Sequence, residues 1–548
     1  MKLPGTIRRS LESERFHAIV VGGGINGAAI ARACARAGKR TLLVEQSDFG
    51  AGTTSRSTRL LRGGIQSVLQ GEIGSVRESL REQKHLLRQH PHLVHPTQFL
   101  LALPENSRAN GLRLRVGLWL YRSLGGTKDR VGAANLNQHN LERQLDAGKH
   151  WSIFNCEDAQ CEFPERMVAE WLADAIDAGA TVRNHTEVLA VNVFHGRAKG
   201  LLVRDVRTGK EEPVEANWII NATGPWADRL CQRSRIPVKA RLVGGVRGSH
   251  IVLPRYPGFF ESTIYSEQDN GAPFFVSSWN EQILVGSTAI PDNGDPGATE
   301  PSDEEIQFLM QAFNYLFPKS KLSVRDIRYA FSGVRAQPFS AAKQSSSPSE
   351  KCYVHDHRED GVAQMLSVVG GSLISAAQLS RECATRIGAK TSSSTPIAAV
   401  DSEIFDPLLD QWALEIADAG GISEASARGI VEWYGKRSHA VAQLATTSVQ
   451  MRAPLCPHTN HIVAEAIFAF QHENAVTLGD VLLRRTPVAL GRCWSEACSR
   501  DAALRIGAVA GWTQYETAAE LEEFENERRR FLHRPGRGNP SALEAAAD

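Results

Sequence analysis

The stretch His17-Ala-Ile-Val-Val-Gly-Gly-Gly-Ile-Asn-Gly-Ala-Ala-Ile-Ala, followed by Leu42-Leu-Val-Glu45, constrains this chain more than any other. Its apolar runs and glycines predict strand, tight turn, helix and second strand, in that order. Gly22, Gly24 and Gly27 fit G-x-G-x-x-G, and Glu45 closes the second strand 18 residues after Gly27. Each position has a physical task in holding a dinucleotide. Gly22 permits the turn, Gly24 lets backbone approach a pyrophosphate, and Gly27 lets the helix pack closely on the strand. The helix N-terminus, with Asn26 in its first turn, faces phosphate. Glu45 can accept a hydrogen bond from a ribose hydroxyl. An ordinary glycine turn in a βαβ unit gives no reason for an acid at that point.

Beyond Glu45 the chain reads Gln46-Ser-Asp-Phe-Gly-Ala-Gly-Thr53-Thr54-Ser55-Arg56-Ser57-Thr, then Arg62-Gly63-Gly64. Small hydroxyl-bearing residues there can bond phosphate and flavin edges. This stretch resembles the flavin-dependent glycerol-3-phosphate dehydrogenases, in which a Gly-Thr-Ser-Ser-Arg-Ser-Ser run leads into a Gly-Gly pair under the flavin. Four more segments extend the resemblance: Asn221-Ala222-Thr-Gly224-Pro-Trp226, Arg247-Gly-Ser-His250-Ile-Val-Leu-Pro254, Phe331-Ser-Gly-Val-Arg335, and Ser367-Val-Val-Gly-Gly371, with Ser372 and Leu373 following. The likeness runs from about Phe16 to about Gly388 and continues more weakly to about Leu532. It implies FAD as cofactor, bound by the glycines, Asn26, Glu45, Thr53 to Ser57, Gly63, Gly64, Ala222, Gly224, Trp226, Gly371, Ser372 and Leu373. NAD, the competing dinucleotide, leaves the later motifs without a role.

The chain departs from those relatives where they bind substrate. Their His-Gly-Gly-Leu-Arg-Tyr segment is Arg62-Gly-Gly-Ile-Gln66-Ser67 here, and their Gly-Gly-Lys is Gly370-Gly371-Ser372. Their Gly-Thr-Thr-Asp is Gly286-Ser-Thr288-Ala289, and a second family arginine has no counterpart in Gln344–Cys352. Oxidising an alcohol needs a base for the hydroxyl proton, and a phosphate dianion favours two or more cations. Each lost charged contact removes roughly 1.5–3 kcal/mol. The expectation is therefore a working flavoenzyme with a remodelled pocket. In it His250 acts as base, Arg335 clamps the substrate anion, and Arg62 and Gln66 contact substrate.

The rest of the chain bounds the reading. With 548 residues and 42% hydrophobic content it can bury several cores. A net charge of +1 argues against a nucleic-acid partner. Nine cysteines without a C-x-x-C pair read as reduced thiols in a cytoplasmic protein. Cys456, His458 and His461 lie close together, but their spacing fits no zinc finger or ribbon, and no metal is expected. The twin arginine Arg8-Arg9 is followed by charged residues, so the N-terminal stretch is not read as an export signal. No apolar run approaches the ~20 residues of a membrane span, which leaves peripheral contact with the inner membrane surface open. Quinone and oxygen both remain as electron acceptors, and a homodimer stays open.

The expected fold class is α/β plus α. A discontinuous Rossmann-like FAD-binding domain takes residues 14–95, 155–235 and 355–392. An α+β substrate domain takes 96–154 and 236–354. A C-terminal helical domain takes 400–533, after the linker-like Thr391-Ser-Ser-Ser-Thr-Pro396, and a disordered tail takes 534–548. Arg484 and Arg485 in the helical part are read as surface or packing residues. Three function classes stand: an FAD-dependent dehydrogenase or oxidase taking hydride from an anionic alcohol or amine other than glycerol 3-phosphate; a true glycerol-3-phosphate dehydrogenase; and a catalytically weak flavin-binding regulatory protein.

Overall fold

The computed structural model describes residues 10–61, 73–105, 131–269, 271–340, 351–389, 402–492 and 494–533. Arg62, Gly63, Gly64 and Gln66 lie outside these ranges, as do the linker-like segment and the tail from 534.

The first sheet forms around Arg15–Val21, which pairs in parallel with Thr41–Val44 on one side and Glu211–Asn221 on the other. Thr181–Arg183 and Met365–Val369 extend the parallel core, and Tyr353–Asp356 closes one edge antiparallel. Thr41–Val44 is buried at every residue, as expected for a parallel strand covered on both faces. Helix Ile25–Arg36 lies against one face. Register places Val21 beside both Val44 and Asn221. Three neighbouring strands therefore end together, and Gly22, Glu45 and Ala222 follow them into one crevice. A crevice at the carboxyl ends of parallel strands is where a Rossmann-like sheet holds its ligand.

The second sheet has nine strands among the described residues. Trp151–Cys161, which runs through the expected boundary near residue 155, belongs to it along its whole length, paired with Val94–Pro104. Its functional edge is the pair Val243–Pro254 and Tyr329–Pro338. Their antiparallel register sets His250 opposite Phe331, Gly248 opposite Gly333 and Val246 opposite Arg335. Side chains two residues apart on a strand share a face, so His250, Phe331, Gly333 and Arg335 all look the same way.

C-terminal helices cover part of that face. Val252, Leu284, Tyr329 and Phe331 belong to one apolar core with the helical residues Ile467, Leu482, Leu490 and Phe524. Ala330 and His533 exchange backbone hydrogen bonds of 2.7 and 2.8 Å, which fastens the end of the last helix, Gln514–Phe531, beside the strand. Asp48, in the loop after Thr41–Val44, accepts from Arg485 at 2.8 and 2.9 Å, from Arg484 at 2.5 Å and from Asn184 at 2.9 Å. Arg485 is fully buried and Arg484 nearly so. Both are packing residues, not surface ones.

Candidate functional site

A cavity of about 1230 Å³ runs from the glycine turn, past the 3-10 turn Thr53–Arg56, to strand Tyr329–Pro338 and the last helix. Of the described cofactor-binding candidates, Gly22, Gly24, Asn26, Glu45, Thr53, Thr54, Arg56, Ser57, Ala222, Gly224, Trp226, Gly371, Ser372 and Leu373 line it. Gly27 and Ser55 do not.

The three motif glycines do different things. Gly22 has φ +105°, and a Cβ there would sit 2.6 Å from the Ala222 carbonyl oxygen. At Gly27 a Cβ would fall 1.8 Å from the Gly22 oxygen. At Gly24 it would meet only Thr54 Oγ1, at 3.3 Å. Gly22 and Gly27 are thus demanded by the fold, while Gly24 leaves open a cradle that a side chain would fill.

Side chains hold the turn around this cradle. The Gly23 N–H donates to Glu45 Oε2 at 2.7 Å and the Ser47 N–H to Oε1 at 2.9 Å. Burial pushes the Glu45 carboxyl above its usual range, against those two hydrogen bonds. Thr54 Oγ1 accepts from the Ile25 N–H at 3.1 Å, and the Thr53 hydroxyl donates to the Val334 carbonyl at 2.7 Å. Ser55 is turned inward, donating to the Gly50 carbonyl at 2.6 Å. It shapes the loop and does not face the cavity, contrary to its expected place among cofactor ligands. Asn26 donates to the Gly370 carbonyl at 3.2 Å, while its Oδ1 is buried without a partner. A Cβ at Gly371 would meet Asn26 Nδ2 at 2.5 Å, so that turn needs glycine.

These residues fit FAD. An open crevice at strand ends, the N-terminus of Ile25–Arg36 with Gly24 as its N-cap, an acid beyond the second strand and an orphaned amide oxygen make a donor and acceptor set for pyrophosphate, ribose and flavin. Gly22, Gly24, Asn26, Glu45, Thr53, Thr54 and Ser57 would hold the group.

At the other end of the cavity, Arg335 lines the wall two residues from Gly333. A Cβ at Gly333 would sit 2.7 Å from Arg56 Cβ, so Gly333 lets the Arg56 stem lie against the strand. Arg56 lies over the Phe531 ring at 5.1 Å and donates to the Ser332 carbonyl at 3.4 Å. Burial, then Arg484, lowers its pKa to about 10, which leaves it cationic at neutral pH. Ser372 lines the cavity where the resembled dehydrogenases carry lysine. Its hydroxyl lies 3.2 Å from that of Ser375, and it is exposed.

His250 does not line the cavity. It is 2% exposed, it stacks on Phe331 at 4.9 Å, and neither ring nitrogen has a hydrogen-bond partner. Burial, then Arg335 and Arg59, push its pKa down to about 3. The imidazole expected to titrate near neutrality is instead held neutral, because it is buried against Phe331 without a hydrogen-bond partner and the cations Arg335 and Arg59 oppose its protonation.

Sequence reasoning missed the contribution of the last helix. Glu523, Glu527, Arg530 and Phe531 line the cavity, together with Arg484. The tract Glu-Asn-Glu-Arg-Arg-Arg-Phe531 reads as a solvated helix end, and no local signal marks it as a cavity wall.

Residues 17–363 match the profile of a family described as FAD dependent oxidoreductase, and residues 366–517 match the C-terminal domain of alpha-glycerophosphate oxidase. A glycerol-3-phosphate dehydrogenase of Synechocystis is 29% identical over 533 residues, which cover 94% of this chain and 96% of that protein. A D-erythritol 1-phosphate dehydrogenase of Brucella abortus is 30% identical over 495 residues, covering 87% and 95%. The solved glycerol-3-phosphate dehydrogenase of Bacillus halodurans, complexed with FAD, superposes with a TM-score of 0.75 at 20% identity, covering 96% and 97%. At that identity the likeness is one of fold.

Proposed function

The chain belongs to the FAD-dependent oxidoreductase family, and from that premise we propose that it oxidises a hydroxyl of a small phosphorylated polyol, with glycerol 3-phosphate itself a poor substrate. FAD, when bound, supplies the hydride acceptor. The observation that carries the reading is that Arg335 and Arg56 both line the cavity, with the Arg56 stem lying against Gly333, two residues before Arg335 on strand Tyr329–Pro338. Two guanidinium groups suit a dianion better than one, and each charge-assisted contact contributes roughly 1.5–3 kcal/mol. Phosphorylated three- and four-carbon polyols are named as the substrates of the relatives, which supports the class. Ser372 and Gln66 argue for a different member of it, since neither carries the charge found at the matching family positions.

In this reading Arg335 and Arg56 hold the phosphate, and Phe531 and Glu527 close the cavity wall beside it. His250 stays neutral behind Phe331, supporting the wall and not exchanging protons. The acceptor that re-oxidises the cofactor is quinone or oxygen.

The test is anaerobic mixing of the purified yellow protein with polyol phosphates of three to five carbons, their dephosphorylated forms, hydroxy acids and amino acids, following flavin absorbance. Bleaching by a longer polyol phosphate, faster than by glycerol 3-phosphate and absent with the free polyol, is the expected result. Bleaching by amino acids alone, or fastest bleaching by glycerol 3-phosphate, overturns the proposal.

A further inference from the structure

Three ligand-type side chains meet outside the cavity described above. Cys456 and His458 stand in the loop between Gln450–Arg452 and helix Val463–His472, and Cys498 stands in the first turn of helix Glu496–Ala510. Their ligating atoms all lie within 4.8 Å of one another. His458 Nδ1 is 3.5 Å from Cys498 Sγ, which also receives the Ser495 hydroxyl at 3.5 Å. His461, the neighbour that spacing had grouped with Cys456 and His458, is elsewhere: its Nδ1 contacts Glu465 at 2.9 Å.

The geometry suits a tetrahedral ion. Bonds of ~2.3 Å to sulfur and ~2.0 Å to nitrogen set ligand atoms about 3.5–3.8 Å apart, so the three need only small side-chain shifts to close on a metal. Both sulfurs are buried, while His458 is exposed and leaves an access side.

Two other clusters among the described residues lack this character. Asp48, His185 and Asp480 are already engaged with Arg484 and Arg485. His355 and His357 both contact Asp360 Oδ2, at 2.6 and 3.0 Å, and His357 Nε2 is 2.7 Å from the Ser367 hydroxyl. In both, the carboxylates already accept from arginine or histidine. Two sulfurs and one imidazole form instead a soft set, which favours zinc-type ions over magnesium or calcium.

We propose that Cys456, His458 and Cys498 bind one thiophilic divalent cation of the zinc type, with water in the fourth position on the exposed side. Binding replaces the thiol protons, which leave to solvent, and ties the 453–462 loop to the start of helix Glu496–Ala510. That helix packs beside Gln514–Phe531, whose end forms the cavity wall, so the ion braces the helical region behind the flavin site.

The test uses untagged, FAD-loaded protein, reduced and stripped with a chelator, then titrated with Co²⁺. One equivalent is expected to give a thiolate-to-cobalt charge-transfer band, and Zn²⁺ is expected to displace it and raise Tm. Cys456→Ser and Cys498→Ser should each abolish the band, and His458→Ala should weaken cobalt binding at least tenfold. His461→Gln should bind as the wild type does. Absence of the band in the wild type, or its survival in Cys498→Ser, overturns the proposal. Flavin absorbance of each variant reports that it is folded, and flavin reduction is not needed as a readout.

Discussion

The ring of Phe531, at the end of the last helix, lies nearly parallel to that of Phe331, with centroids 6.0 Å apart and planes 6° apart. Phe331 stacks in turn on His250 at 14° between planes, and Arg56 lies over Phe531. A column of rings and one cation thus joins the sheet, the C-terminal helix and the hydroxyl-rich turn. The cavity wall depends on residues nearly 500 positions apart in sequence. Phe331→Leu and Phe531→Leu, singly and together, should show a coupling energy of about 0.5–1.5 kcal/mol in a denaturation cycle. Additive effects would mean that the stack is geometric only.

Gly22, Gly24 and Gly27 should separate fold from cofactor. Gly27→Ala is expected to lose both stability and FAD, by about 3 kcal/mol or more in the apoprotein, because its Cβ falls on the Gly22 oxygen. Gly24→Val should cost the apoprotein less than Gly27→Ala does, since a Cβ there meets only the Thr54 hydroxyl, at 3.3 Å, and no backbone. It should nonetheless purify with little flavin. Denaturation curves and flavin-to-protein absorbance ratios check both.

His250 carries a pH dependence of stability whose sign follows from its depressed pKa. The unfolded chain takes up a proton below its ordinary value of about 6.5, while the folded imidazole does so only near 3. Stability from this group is full above the unfolded value and is lost as pH falls between the two. Going from pH 7 to pH 5, the wild type should lose about 2 kcal/mol that His250→Phe retains. The pH profile of flavin reduction between 5 and 8 should keep its shape in the variant. A lost ionisation there would return the base role to His250.

Arg485→Ala should be among the most damaging changes in the helical region. It leaves the Asp48 carboxylate buried with fewer donors, and removing one partner of a buried ion pair typically destabilises by about 3–5 kcal/mol. Asp48→Asn together with Arg485→Met should recover part of that loss. Thermal and urea unfolding of the three proteins decide it.

Arg335→Ala should raise KM about tenfold to a hundredfold for a phosphorylated substrate, with kcat little changed, as befits an anion clamp. Arg335→Lys should recover part of the affinity. A fall in kcat with KM unchanged would place Arg335 in the chemical step.

Much of the fold was legible because its signals are local. A glycine spacing, two buried apolar strands and an acid at the second strand end determine a dinucleotide crevice within thirty residues of chain, and the helix Glu424–Tyr434 followed from its apolar period. Gly27 was readable because its Cβ would strike Gly22 five residues away, and Gly22 because its turn needs a positive φ, whereas the Ala222 carbonyl that also crowds Gly22 comes from a distant strand. The same local signals could not show that Cys498 stands beside Cys456 and His458, because a helix start 40 residues on folds back to them. His250 was readable as a histidine in a strand, but not as a neutral one. Its pKa depends on which side chains share its face, and strand register decides that. Phe531 shows the limit most clearly. In sequence it ends a charged helix. Only the pairing of His533 with Ala330 carries it onto the sheet, where burial of apolar rings sets the wall of the flavin cavity.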